Sequence, residues 1–82
     1  MNFVLTDHAE KRCIRRKIQR ESIARALERP ARIEDDPDDV DLAHVLYLVP
    51  ERAFRVLRVI YNETVDPVAI VTAYFDDEVK DL

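Results

Sequence analysis

The apolar positions of this chain change period at Pro30. Before it they recur at three- and four-residue steps, as in Ala9 and Cys13 and again in Ile23, Ala26 and Leu27; after it they alternate or run together. Thr6 or Asp7 caps a first helix, with Asp7 and Glu10 spaced as a capping box, and the helix is expected to reach about Lys17. Ile18 forms a short corner, Gln19 opens a second helix with Ile23, Ala26 and Leu27 as its buried stripe, and Pro30 stops it. A short strand from Ala31 to Glu34 precedes the acidic turn DDPDDVD. Leu42 to Val49, Ala53 to Tyr61 and Val68 to Phe75 are rich in β-branched and aromatic residues and read as strands, separated by Pro50-Glu51 and by Asn62 to Pro67. Short links favour antiparallel neighbours. The expectation is an α+β fold: one domain over residues 1–82, with an N-terminal helical hairpin packed on a three- to four-stranded antiparallel sheet.

Composition narrows the field. A chain of 82 residues buries only about 60 to 65% of the surface its unfolded form exposes, so the core is thin. The single cysteine excludes an internal disulfide, and the run MNFVLTDHAEK is too short in apolar residues for a signal peptide or membrane span. A cytoplasmic protein away from membranes is expected. With no glycine, the phosphate-cradling loops of nucleotide-binding folds cannot be built, and no cofactor is expected. The net charge of -4 conceals a polarity: residues 1–32 hold nine Lys/Arg against four Asp/Glu, whereas residues 33–82 hold four against thirteen. The basic third is suited to meet phosphate or to attract the acidic remainder of its own fold.

Candidate chemistry begins on the first helix, where His8, Arg12 and Arg16 stand at steps of four. At about 100° per residue, with Ala9 at zero, Leu5 falls near -40°, Cys13 near +40°, Arg16 near -20°, Arg12 near -60° and His8 near -100°. Two arginines therefore lie in or beside the apolar stripe. Burying an unpaired guanidinium costs several kcal/mol, so each must find an acid, snorkel to the rim or border a wet cleft. In RAFRVLRVIY, Arg58 and Arg55 fall on opposite faces of a strand, each among apolar neighbours, and at least one is expected to open onto a groove. In PVAIVTAYF, Thr72 and Tyr74 share a face with Val68 and Ile70 by simple alternation. Together His8, Arg12, Arg58, Thr72 and Tyr74, with Arg16 and Arg55 as further phosphate contacts, supply what metal-independent RNA cleavage needs: a base, fixed cations and a proton donor. The acidic turn lacks the spacing of a calcium loop, His8 and His44 lack a zinc spacing, and Cys13 reads as a small packed residue, so no metal is expected.

The string L-T-D-H-A-x-x-R-x-x-x-R-x-I, followed by L-R-V-I-Y-N-E-T-x-D-P and V-T-A-Y-F-D, resembles a bacterial family of small domains of unassigned function near the RelE/ParE-like, barnase-EndoU-colicin-RelE group of toxin folds. The resemblance runs from Leu5 to Asp76. It implies a helical hairpin over a curved antiparallel sheet and a His, Arg and Thr/Tyr site at His8, Arg12, Arg16, Arg58, Thr72 and Tyr74. It implies a toxin-like ribonuclease with RNA and a cognate antitoxin protein as partners. The chain departs from the family where Arg16-Lys17-Ile18 replaces R-G-I and where Phe75-Asp76-Asp77-Glu78 replaces F-D-R-R. Those added acids favour a second function, a non-catalytic protein-interaction or regulatory module on the same fold.

Overall fold

The computed structural model describes residues 1–82. The elements run β1 (Phe3–Leu5), α1 (Asp7–Arg16), α2 (Arg20–Glu28), β2 (Arg32–Asp35), β3 (Leu42–Val49), a 3-10 turn (Pro50–Arg52), β4 (Arg55–Asn62) and β5 (Val68–Phe75). They build one five-stranded sheet in the order β1-β5-β4-β3-β2. Neighbours β2 to β5 pair antiparallel, as their short links require, while β1 joins β5 in parallel. The α+β class and the hairpin on an antiparallel sheet are as expected. The count of three or four strands is corrected to five, because Phe3–Leu5 is too short to show a period of its own.

Thr6 is the cap of α1: its Oγ1 accepts from the Ala9 backbone N–H at 3.1 Å. With Thr6 in that place the third helical residue is Ala9, so Asp7 and Glu10 form no capping box; they remain acids in the first turn, where the helix dipole favours them. The helix ends at Lys17, which takes the left-handed conformation (φ 57°). There the Lys17 and Ile18 N–H groups donate to the Ile14 and Cys13 carbonyls. Arg52 donates to the Lys17 carbonyl and ties this corner to the 3-10 turn. A Cβ at φ 57° is strained.

One face of the sheet packs against both helices. Ala9, Cys13, Ile18, Ile23, Ala26 and Leu27 meet Ala43, Val45, Val49, Leu57, Val59, Tyr61, Ile70 and Ala73 in a single cluster. Burial pushes the Cys13 thiol pKa up, so Cys13 packs as an inert small residue. Full burial of a side chain such as Ile23 stabilises the domain by about 2 to 3 kcal/mol.

A bulge in β5 decides what the other face carries. Tyr61 pairs with Ile70 but Ile60 pairs with Thr72, leaving Val71 as the extra residue. Ile70 and Ala73 therefore both face the helices although three residues apart. Simple alternation placed Thr72 and Tyr74 with Val68 and Ile70. The bulge turns Thr72 and Tyr74 to the face that also holds His44, Leu46, Arg58 and Ile60.

Candidate functional site

The sheet has an unfinished edge, and the cause is local. Strand β1 pairs with β5 only from Val68 to Ile70; the Thr6 N–H makes the last contact, donating to the Ile70 carbonyl at 3.1 Å, and the chain then turns into α1. From Thr72 onward β5 has no strand beyond it. Arg16, in the last turn of α1, reaches this edge: its Nη1 donates to the Ala73 carbonyl at 2.8 Å and approaches Thr72 Oγ1 at 3.5 Å. The guanidinium lies 5.8 Å from the centre of the Tyr74 ring. One turn back, Arg12 Nε donates to His8 Nε2 at 3.4 Å, which leaves the ring proton of a neutral His8 on Nδ1.

Five expected site residues thus fall along one helix and one strand. Arg16, Thr72 and Tyr74 meet directly, and His8 and Arg12 meet each other on the same helix. No carboxylate lies within 4 Å of Arg12 or Arg16. Arg16 is half-buried beside Cys13 and escapes the cost of an unpaired buried charge through a carbonyl, a hydroxyl and a ring. Its free donors leave room for a further acceptor.

Arg58 stands across from Tyr74 on the helix-free face, but acids take it up there. Its Nε donates to Asp76 Oδ2 at 3.0 Å, and its Nη1 donates to Glu34 Oε1 at 2.8 Å and to His44 Nδ1 at 2.9 Å. A guanidinium only donates, so His44 Nδ1 accepts and Nε2 carries the proton, which it donates to Asp36 Oδ1 at 2.7 Å. Asp36 is fixed in turn by the N–H groups of Asp38 and Asp39, at 3.1 and 3.0 Å. The structure sets Arg58 apart from His8: three side chains hold it on the helix-free face, with the acidic turn behind His44. The Arg58 side chain is only 12% exposed. Burial works against its charge, and the bonds from Glu34 and Asp76 outweigh that and raise its pKa. Arg58 lowers the Glu34 carboxyl pKa by its hydrogen bond, and the His44 bond does the same for Asp36.

Sequence reasoning missed this network. By sequence the acidic tract and His44 are weighed only as metal ligands, for which their spacing is wrong. The usable signal was His44 itself, a polar residue in the otherwise apolar run LAHVLYLV.

Arg55 lies on the opposite face from Arg58 and borders a hollow. Arg16, Arg55, Tyr74 and Phe75 line an open space of about 300 Å³ at the end of the free edge. Arg55 stacks on Phe75 at 4.4 Å from the ring centre and is held on both sides of its fork by Asp77, at 3.2 and 3.1 Å. A larger hollow of about 410 Å³ lies away from this chemistry, between α1, α2 and β1, and six of its eight lining residues are apolar.

A helical hairpin on an antiparallel sheet, with a carboxylate-free arginine at its open edge, defines a small α+β domain with one basic, polar margin. The chain belongs to the family described as a domain of unknown function, DUF4258, whose model matches residues 5–75. No curated protein and no solved structure matches the chain.

Proposed function

We propose that this domain is a toxin-like ribonuclease that cleaves RNA without a metal ion, at the free edge of β5. The observation that carries the reading is Arg16: a guanidinium held in place by the Ala73 carbonyl and Thr72, with no acid to neutralise it, beside Tyr74. Such a group is suited to the extra negative charge of a phosphate under attack. Arg12 adds a second unpaired cation and orients His8. In the proposed reaction the long, exposed bond from Arg12 gives way, His8 Nε2 takes the ribose 2'-OH proton while Nδ1 keeps its own, and the 2'-oxygen attacks phosphorus. The 5'-oxygen then leaves with a proton from the Tyr74 or Thr72 hydroxyl, giving a 2',3'-cyclic phosphate. Arg58, the cross-strand neighbour of Tyr74, acts as a positioning residue that stiffens the β4 side of the sheet. The toxin side of the reading is supported by the motif strings and by the hairpin-on-sheet architecture that the resemblance to RelE/ParE-like folds implied.

The test is cleavage of single-stranded RNA in excess EDTA. Loss of His8 as a base is expected to cost about 100- to 10,000-fold in rate, and Arg16→Ala a similar amount. Cleavage by His8→Ala and Arg16→Ala at the wild-type rate, or no cleavage by the wild type, overturns the reading.

The larger hollow favours a second reading, a protein-interaction module. Exposed Ile14 and Val4 open onto it, and all its lining residues lie between Val4 and Ile23, inside the basic third. An acidic partner segment with apolar anchors, such as a cognate antitoxin, fits that combination. Ile14→Asp is expected to abolish capture of such a partner and to leave RNA cleavage unchanged.

A further inference from the structure

We propose that the hollow between Arg16, Arg55, Tyr74 and Phe75 is a subsite for one nucleotide of single-stranded RNA, and that Asp77 occupies its phosphate position as an internal competitor. The inference rests on the reading of RNA as the substrate, but it concerns binding and needs no cleavage.

Planar groups wall this space. The Tyr74 ring lies beside Arg16, and the Arg55 guanidinium carbon lies 4.4 Å from the centre of the Phe75 ring, which Arg52 approaches as well at 5.4 Å. Bases stack on such surfaces whatever their sequence, because every base has a π-face and guanidinium planes serve as well as rings. At about 300 Å³ the hollow is at the lower end for small-ligand sites, which suits a single nucleotide.

The phosphate position is marked by Asp77. Its two oxygens face Nε and Nη2 of Arg55 in the paired, side-by-side arrangement by which arginine also grips phosphate. The Arg55 bond lowers the Asp77 carboxyl pKa, so the competitor keeps its charge at neutral pH. Asp77 lies in the turn after β5, one residue beyond Asp76 and outside any strand or helix, so its side chain can swing away without breaking a ladder. The two side chains are 45% and 68% exposed, and an ion pair that open to water is weak. Of the two acids that set this chain apart from the F-D-R-R pattern, Asp77 thereby acquires a use: it covers Arg55 until a stronger anion arrives.

The experiment measures binding of a fluorescently labelled 2'-O-methyl RNA oligonucleotide, which cannot be cleaved for want of the 2'-OH. Asp77→Asn is expected to tighten binding about fivefold, the factor an exposed ion pair can supply. Glu78→Gln makes the same change in net charge one residue further on, where no ion pair is lost, and is expected to have less than half that effect. Arg55→Lys, which keeps the charge but loses the fork, is expected to weaken binding and to cancel the gain from Asp77→Asn. Tightening in Asp77→Asn with no RNA cleavage by the wild type supports the subsite and sinks the ribonuclease. His8-dependent cleavage with equal affinities in wild type, Asp77→Asn and Arg55→Lys overturns the subsite and leaves the ribonuclease standing. Equal tightening by Asp77→Asn and Glu78→Gln also overturns it, since bulk charge then accounts for the change.

Discussion

Arg58 and Arg16 are two arginines placed among apolar neighbours, and the fold treats them oppositely. Arg58 sits amid Glu34, Asp76 and His44, with Asp36 one bond further out, and its Nε and Nη1 are committed to them. Arg16 meets only neutral groups and faces an edge that no strand covers. A cation neutralised by acids stabilises its surroundings and has little attraction left for a new anion. One held by carbonyl and hydroxyl dipoles keeps its full charge at modest cost. The difference separates a structural arginine from an available one, which burial alone does not do, since both are partly covered.

The sharpest way to break the comparison is to remove each arginine in turn and measure stability by urea unfolding. Arg58→Met leaves Glu34, Asp76 and His44 without their common donor and is expected to cost about 3 kcal/mol, the low end for a broken buried pair because Glu34 keeps access to water. Arg16→Met removes one bond to a carbonyl at a wet edge and is expected to cost about 1 kcal/mol. Equal losses at the two positions would show that the carboxylates around Arg58 do not set it apart.

Acid should distinguish the two regions next. Glu34 and Asp36 have folded-state pKa values below their ordinary 4.5 and 3.8, through Arg58 and His44 respectively. Between the folded and unfolded values the unfolded chain binds more protons, so stability rises with pH there. The contribution is complete above the ordinary values and is lost as pH falls through the folded ones. Urea midpoints of the wild type should therefore drop as pH is lowered below about 4.5. In Arg58→Met the Glu34 part of that drop should shrink to what the Arg32 bridge at 3.0 Å supplies, while the Asp36 part, which depends first on His44, persists. Asp77 contributes in the same direction through Arg55, but that pair is open to solvent, so added salt should weaken its share first.

How far the sequence foretold these regions differs as well. The hairpin, the α2 stripe and the bounds of β3 and β5 were legible, because Ile23, Ala26 and Leu27 keep a helical period and LAHVLYLV and VAIVTAYF are unbroken β-formers. The line of His8, Arg12 and Arg16 was legible for the same reason: a helix fixes directions four residues apart. The partners of Arg58 were not. Its acids come from β2, the turn before β3 and the end of β5, and only the register of three strand pairs brings them together. The Val71 bulge was equally hidden, since one inserted residue reverses every later side chain and leaves no mark in composition.

The smallest expected effect concerns the corner that delivers Arg16 to the edge. Lys17 closes α1 at φ 57°, where a side chain crowds the following carbonyl, and Arg52 braces that carbonyl from the 3-10 turn. Lys17→Gly removes the strain, while the freer unfolded chain takes back part of the gain, so a net stabilisation of about 0.5 kcal/mol is expected. Because Arg16 immediately precedes this residue, the same substitution tests whether a strained corner is needed to hold its guanidinium against Ala73. Unchanged RNA affinity alongside the gain in urea midpoint would mean that the contacts to Ala73, Thr72 and Tyr74 suffice. A loss of affinity in the more stable variant would mean that the left-handed lysine and its Arg52 brace set the reach of Arg16, which would make the available arginine as dependent on distant scaffolding as the locked one.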